Sequence, residues 1–225
     1  MPDPAPRSPK AEQTRAAIAE AAMRLFRAEG YDRTTMRAIA REAGVSVGNA
    51  YYYFGSKEHL VQAFYDRMQV EHAAAAQEAL ESERTFAGRL RAVLLAWLDV
   101  ARPHHAFAGQ FFRNAADPAS PLSPFSPESA PAREASTAIF EQVVSGSDLK
   151  VATGLRRELP GLLWLLQMGV VLFWVYDASP DQQRSRVLVE RLVPVVDRLA
   201  RLSRLPVVRG VVDDVVGLIG SLREV

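Results

Sequence analysis

From Lys10 to Gly30 the apolar side chains Ile18, Ala21, Ala22, Leu25 and Phe26 fall at the spacing of one helical face, and a glycine closes the pattern. Thr34 or Thr35 is placed to cap a second helix. Ala38, Ile39, Ala40 and Ala43 line its apolar stripe, while Arg37 and Arg41 share another face. Gly44 ends that run and Ser46 is a good cap for a third piece, Val47 to Phe54, only about two turns long. On this short helix Ala50 and Phe54 share one side, and Val47, Gly48 and Tyr51 share another. Phe26, Ile39, Val45, Ala50, Phe54 and Leu60 are the expected core of this small bundle. Two short helices joined by a glycine-containing turn make a helix-turn-helix unit, whose second helix can enter a major groove.

Downstream of Gly55 the helical period continues. Ser56 to about Ser82 has neither Gly nor Pro, with Leu60, Val61, Phe64 and Met68 on one face. At 1.5 Å per residue it reaches ~40 Å, long enough to connect a three-helix head to the rest of the chain. Phe86 to Ala101 is the next amphipathic helix, stopped by Pro103, and His104 to Asn114 a short one. Between 117 and 131, Pro118, Pro121, Pro124 and Pro127 recur every third residue, the period of polyproline II, in an exposed connection or a segment that gates a pocket or touches a partner subunit. Ser136 to Val144 resumes a helix and 160–177 forms a very apolar one. Ser179-Pro180 opens a helix to about Leu205, kinked at Pro194. Pro206 starts a last helix with Val208, Val212, Val215 and Ile219 in a stripe. No strand alternation or tandem repeat interrupts this, so the fold class is all-α.

Composition narrows the function. The chain has 225 residues, a net charge of +1 and no cysteine. A basic coat is therefore absent, and any nucleic-acid contact comes from a local excess such as Arg33, Arg37, Arg41 and Lys57 over Asp32 and Glu42. The lack of cysteine excludes a disulfide framework and thiolate metal sites and fits the cytoplasm. The Pro-rich start, residues 1–9, reads as a disordered arm, not a secretory signal. The 160–177 run approaches membrane-spanning length, but Pro160, Gly161, Gln167 and Gly169 within it favour a buried or subunit-interface helix. His104 and His105 are adjacent, diverge on a helix and make no metal site, and Asp213-Asp214 reads as a solvated face. No phosphate loop, zinc-protease motif or nucleophile elbow is present, so neither an enzyme nor a cofactor is expected, although a helical enzyme and a purely architectural DNA binder remain open as other classes.

Residues 12–65 resemble the head of the TetR (tetracycline repressor) family of bacterial transcription regulators. The resemblance lies in the first helix, in TTMRAIAREAGVS and in GNAYYYFGSKEHL. It implies a helix-turn-helix head over residues 10–55 and a helical ligand-binding and dimerisation domain over 56–225, with 56–82 as connector. It also implies a homodimer, through the helices near 160–177 and 181–205, on a double-stranded palindromic operator. By position it implies that Val47, Gly48 and Tyr51 meet base edges. Thr35, Ser46, Asn49, Tyr52, Tyr53 and Lys57 would then hold phosphates, with Arg37 reaching a base in some members. A histidine commonly stands where this chain has Tyr53. No long base-reading side chain occupies 47 or 48, so part of the specificity would be read from DNA shape. The body aromatics Trp97, Phe107, Phe111, Phe112, Trp164, Phe173 and Trp174 are candidates for an apolar effector pocket, and equally for ordinary core. The expectation is a repressor released by a small effector, with an activator or a ligand-independent regulator as the alternative.

Overall fold

The computed structural model describes residues 8–204 and Gly217. Residues 1–7 of the expected arm and the helix from Pro206, including Asp213-Asp214, fall outside the described residues, while Ser8 and Pro9, expected in the arm, cap and open α1. So does the side chain of Phe107. Among the described residues the helices are α1 (Pro9–Glu29), α2 (Met36–Glu42), α3 (Val47–Tyr53), α4 (Lys57–Glu81), α5 (Phe86–Ala101), α6 (His105–Ala115), α7 (Ala130–Ser145), α8 (Thr153–Val175) and α9 (Gln183–Leu202). Two short 3-10 turns, Arg102–His104 and Pro180–Gln182, precede α6 and α9. The chain divides into two compact units: residues 1–67 with 104–130, and residues 68–103 with 131–225.

In the first unit local chemistry fixes each helix start. The Ser8, Thr35 and Ser46 hydroxyls each accept the backbone N–H three residues on, capping α1, α2 and α3, an interaction worth about 1 kcal/mol per helix. Gly44 adopts φ +68, and Gly44 N–H to Arg41 carbonyl with Val45 N–H to Ala40 carbonyl form a Schellman ending of α2. That turn sets the direction of α3. Ile18, Ala21, Ala22 and Phe26 of α1 pack with Met36, Ile39, Ala40, Ala50, Phe54, Leu60, Val61 and Phe64, all buried. Val45, expected in this core, is only half-buried; it stands in the turn after Gly44, outside both helices. From α6, Phe111 joins edge-on to Phe26 at 5.8 Å and to Tyr31 at 6.0 Å, with Phe64 and Tyr65 beside it. α6 therefore belongs to the packing of the head.

The Pro-rich segment is not polyproline II, which has no internal hydrogen bonds. It is a run of turns: the N–H groups of Ser120, Ser123 and Ser126 donate to the carbonyls of Asp117, Ser120 and Ser123, each turn with proline second. The side chains of Asp117, Ser120 and Ser123 accept the N–H two residues on, within each turn. The period of three therefore comes from a repeated (Asp/Ser)-Pro-x turn. Leu122, Ser123 and Ser126 are buried by it, and Phe125 is exposed.

In the second unit, α5 and α9 run antiparallel: Asp99 pairs with Arg186, and Arg91 with Glu190 at 3.8 Å. Asp148 accepts from Phe86 N–H at the start of α5 and from Arg201 at the end of α9. Those bonds, the Phe86 N–H before the guanidinium, hold its carboxyl below the usual range. Arg89 of α5 is buried and donates to the carbonyls of Leu80, Glu83 and Gln142, closing the ends of α4 and α7. A Cβ on Gly146 would meet that guanidinium at 2.5 Å, so any larger residue there would make Arg89 shift. α8 starts seven residues before Pro160, the expected start, and runs through it with Pro160 buried. α9 likewise runs through Pro194. The expected helix opening at Pro180 is only a 3-10 turn. Within that turn Asp181 and Gln182 both adopt φ 52, so α9 begins only at Gln183.

Candidate nucleic-acid interface

The surface around α3 is built by the turn that precedes it. Val47 is 38% exposed, Tyr51 51% and Tyr52 82%, and Gly48 lies on the same open side with no atom within 4 Å of where a Cβ would stand. Large apolar side chains left open on one short helix have no folding reason to be there, since Ala50 alone anchors that helix in the core. Tyr52 and Tyr53 meet edge-on at 5.2 Å, which fixes both rings, and Tyr53 and Asn49 are half-buried. The Thr35 and Ser46 oxygens are occupied as caps, which leaves each hydroxyl hydrogen as a donor. Arg37 and Arg41 are exposed on α2. These residues therefore present hydroxyl, amide and guanidinium donors around an apolar centre. Donors suit phosphate oxygens, and the Val47 side chain and Tyr51 ring suit thymine methyls.

Lys57 is placed differently from its neighbours. Its ammonium donates to the Tyr31 carbonyl at 2.9 Å and lies 4.3 Å over the Tyr31 ring, a cation–π contact, while Tyr31 O–H donates to Glu58 at 2.7 Å. Burial first, and then the Glu58 carboxylate, push the Tyr31 hydroxyl well above its usual range, so it stays a donor. Two ammonium hydrogens remain on Lys57. Sequence reasoning missed this Tyr31–Lys57–Glu58 group, whose signal was an aromatic residue directly after the glycine that ends α1. It also missed the Ser56 hydroxyl against His59 Nδ1 at 3.0 Å, at the start of α4.

Of the seven aromatic candidates for an effector pocket, Phe107 has a side chain outside the described residues, Phe111 and Phe112 belong to the first unit, and Trp97, Trp164, Phe173 and Trp174 belong to the second. Trp97 and Trp174 meet edge-on at 5.2 Å, and Trp174 and Trp164 are buried on α8. Trp174 lines a cavity of about 10 Å³ with Leu98, Arg102, Asp181, Gln182 and Arg186, room for one water. Phe111 is committed to the aromatic core of the head and Phe112 is half-buried on the same helix. Phe173 points outward with Leu165 and Leu172, because residues seven and eight apart share a helical face.

Residues 89–218 match the pattern of the "Tetracyclin repressor-like, C-terminal domain", and residues 18–64 match "Bacterial regulatory proteins, tetR family". The chain belongs to the TetR family. Among curated relatives, the probable HTH-type transcriptional regulator ArpR of Pseudomonas putida is 43% identical over 88 residues, 38% of this chain and 41% of ArpR. The regulator UidR of Escherichia coli K12 is 35% identical over 72 residues, 32% of this chain and 37% of UidR. The chain thus spans about two-fifths of the length of these relatives. A TetR-family regulator of Nitrosomonas europaea superimposes with TM-score 0.60 at 18% identity, covering 81% of this chain and 97% of that one. FadR of Bacillus subtilis in complex with stearoyl-CoA gives 0.61 at 17%, covering 79% and 97%. These likenesses show the fold. The family is one of bacterial regulatory proteins, and the curated relatives matched are HTH-type transcriptional regulators. α8 is by length and composition apolar enough to cross a membrane. Its Leu159, Leu163, Trp164, Val170 and Trp174 are instead buried in the second unit.

Proposed function

We propose that this TetR-family protein is a cytoplasmic repressor that binds a palindromic operator as a homodimer and is released by a small, largely apolar effector. The observation that carries the DNA side is the open face of α3, with Val47, Gly48 and Tyr51 at its centre. Thr35, Arg37, Ser46, Asn49, Tyr52, Tyr53 and Lys57 surround it with donors for phosphates. With so few long side chains aimed at bases, sequence-dependent groove shape contributes to the choice of site.

Dimerisation uses α8 and α9. Leu165, Leu172 and Phe173 on α8, Tyr176 just after it, and Val187, Val195, Leu199 and Leu202 on α9 are exposed. Two stripes of that size on neighbouring helices suit a four-helix contact with a second copy, which buries the same patch on both chains. Pairing places two α3 helices about 34–36 Å apart, one turn of DNA. Head and body divide functionally near residue 55, and α4 carries residues of both units in one helix. A ligand that favours one position of α4 shifts a two-state equilibrium away from the DNA-competent dimer. Selection of bound duplexes from random DNA tests the reading: a two-fold symmetric consensus is expected, and an asymmetric or absent consensus contradicts it.

A further inference from the structure

Among the described residues of the second unit, two fully buried side chains hold an acceptor with no partner, on the helices that carry or adjoin the Trp97–Trp174 pair. α9 is antiparallel to α5 through the Asp99–Arg186 and Arg91–Glu190 pairs. α8 and α9 form a helical hairpin, closed where Asp177 accepts from Ser185 at the start of α9. α5 and α8 therefore run in the same direction, with Trp97 and Trp174 in register at 5.2 Å. One turn back along α5 is Val93, whose carbonyl receives His72 Nε2 from α4 at 3.1 Å. Two turns back along α8, on the buried face shared with Val170 and Trp174, is Gln167. At 1.5 Å rise per residue, the His72 and Gln167 layers lie about one turn apart along these helices.

His72 and Gln167 are each 1% exposed. The Val93 carbonyl only accepts, so Nε2 carries the hydrogen. Burial, opposed only by that bond, holds the ring below its ordinary pKa and therefore neutral. Nδ1 is left as a bare lone pair, buried without a partner, and Gln167 Oε1 is a second. Buried acceptors are rarely left unmade, because each loses its water and gains nothing. Arg89, the buried cation one turn before Val93, is turned to the carbonyls of Leu80, Glu83 and Gln142.

We infer that His72 and Gln167 select the effector, and that it is an uncharged, flat apolar molecule whose two hydroxyl or N–H donors meet His72 Nδ1 and Gln167 Oε1. The inference rests on the effector reading above and sharpens it. In this structure the space beside Trp174 holds about one water, so the effector's apolar body reaches Trp97 and Trp174 only as α5 and α8 part. A carboxylate in its place would bring an anion against two lone pairs, and an ether would leave both acceptors unmade.

The test titrates the full-length protein with dihydroxynaphthalene, its monomethyl ether, its dimethyl ether and naphthoic acid. Tryptophan fluorescence reads binding and gel shift reads release of the selected operator. Affinity is expected to fall about tenfold with each hydroxyl capped, and naphthoic acid to bind most weakly. Gln167→Leu and the near-isosteric Gln167→Met should each abolish one of the two steps. Without ligand they should raise the melting temperature, since an unmade acceptor is removed. Equal binding of all four probes, or tightest binding of naphthoic acid, overturns the inference while leaving an effector-released repressor intact. Melting lowered by both variants, with the hydroxyl preference unchanged, shows that a bound water satisfies Gln167 and overturns it too. Failure of every naphthalene to bind overturns it as well. The effector reading is then judged separately, by whether an organic-solvent extract of bacterial culture releases the operator.

Discussion

The Lys57 ammonium sits on Tyr31, 2.9 Å from its carbonyl oxygen and 4.3 Å from its ring centre. The first residue of α4 is thereby fastened to the connection that follows α1, with two ammonium hydrogens left over as donors. Lys57→Met should lower stability by about 1–2 kcal/mol through the lost carbonyl bond and cation–π contact. It should also reduce the slope of log affinity against log salt by about 1 per chain, if one phosphate contact is lost with it. A salt titration separates the two. Lost stability with an unchanged slope means that Lys57 only builds the head.

Leu199 is 62% exposed in the single chain and sits in the apolar stripe of α9. Leu199→Glu should leave the helical content of each chain close to wild type and lower the melting temperature only by the lost association. It should shift sedimentation from dimer to monomer and weaken operator binding at the same time. A Leu199→Glu protein that stays dimeric locates the contact elsewhere.

Asp177 joins α8 to α9 by accepting from the backbone N–H and hydroxyl of both Ser179 and Ser185, at 2.6–3.0 Å. Burial alone would raise its carboxyl, but these four bonds outweigh it and bring it to about 2, from the usual 3.8. The lowered value means that Asp177 stabilises the fold above the unfolded-state pKa and loses that contribution as pH falls toward 2. Asp177→Ala should cost roughly 2–3 kcal/mol near neutral pH and less at pH below about 3, measured by urea unfolding.

His104 Nδ1 lies 3.1 Å from the Arg27 guanidinium, with its ring edge-on to Phe64 at 4.9 Å. Burial first, then the charges of Arg27 and Arg67, hold the imidazole below its usual 6.5. The unfolded chain therefore binds a proton near pH 6 that the folded head refuses, and stability is lost as pH falls through about 6.5. His72, lowered mainly by burial, acts in the same sense. His104→Gln should flatten unfolding free energy between about pH 7 and 5 relative to wild type. An unchanged pH dependence would assign the effect to other groups.

What the sequence could reveal followed from short-range chemistry. The caps at Thr35 and Ser46, the Gly44 ending and the apolar faces of α1 and α5 depend on neighbours within a turn or two, and they stand where the pattern places them. The open side of α3 was legible for the same reason. Long-range partnerships were not. Nothing local shows that Phe111 packs with Phe26 and Tyr31, or that Phe173 faces outward while Trp174 is buried one residue later. The period of three at 117–131 was visible, but not its meaning. Proline fixes φ near the same value in polyproline II and in the second position of a turn, and the serine hydroxyls decide between them.

Tyr51 tests the central claim most directly, because it is 51% exposed and its loss touches no buried contact of the core. Hydroxyl-radical footprinting of the selected operator compares wild type with Tyr51→Ala, both checked as dimers by sedimentation. Wild type should protect two patches one helical turn apart on one face of the duplex, and Tyr51→Ala should bind at least about tenfold more weakly, with both patches lost together. Full protection by the Tyr51→Ala dimer, or a single patch with wild type, would contradict a paired reading of DNA by α3.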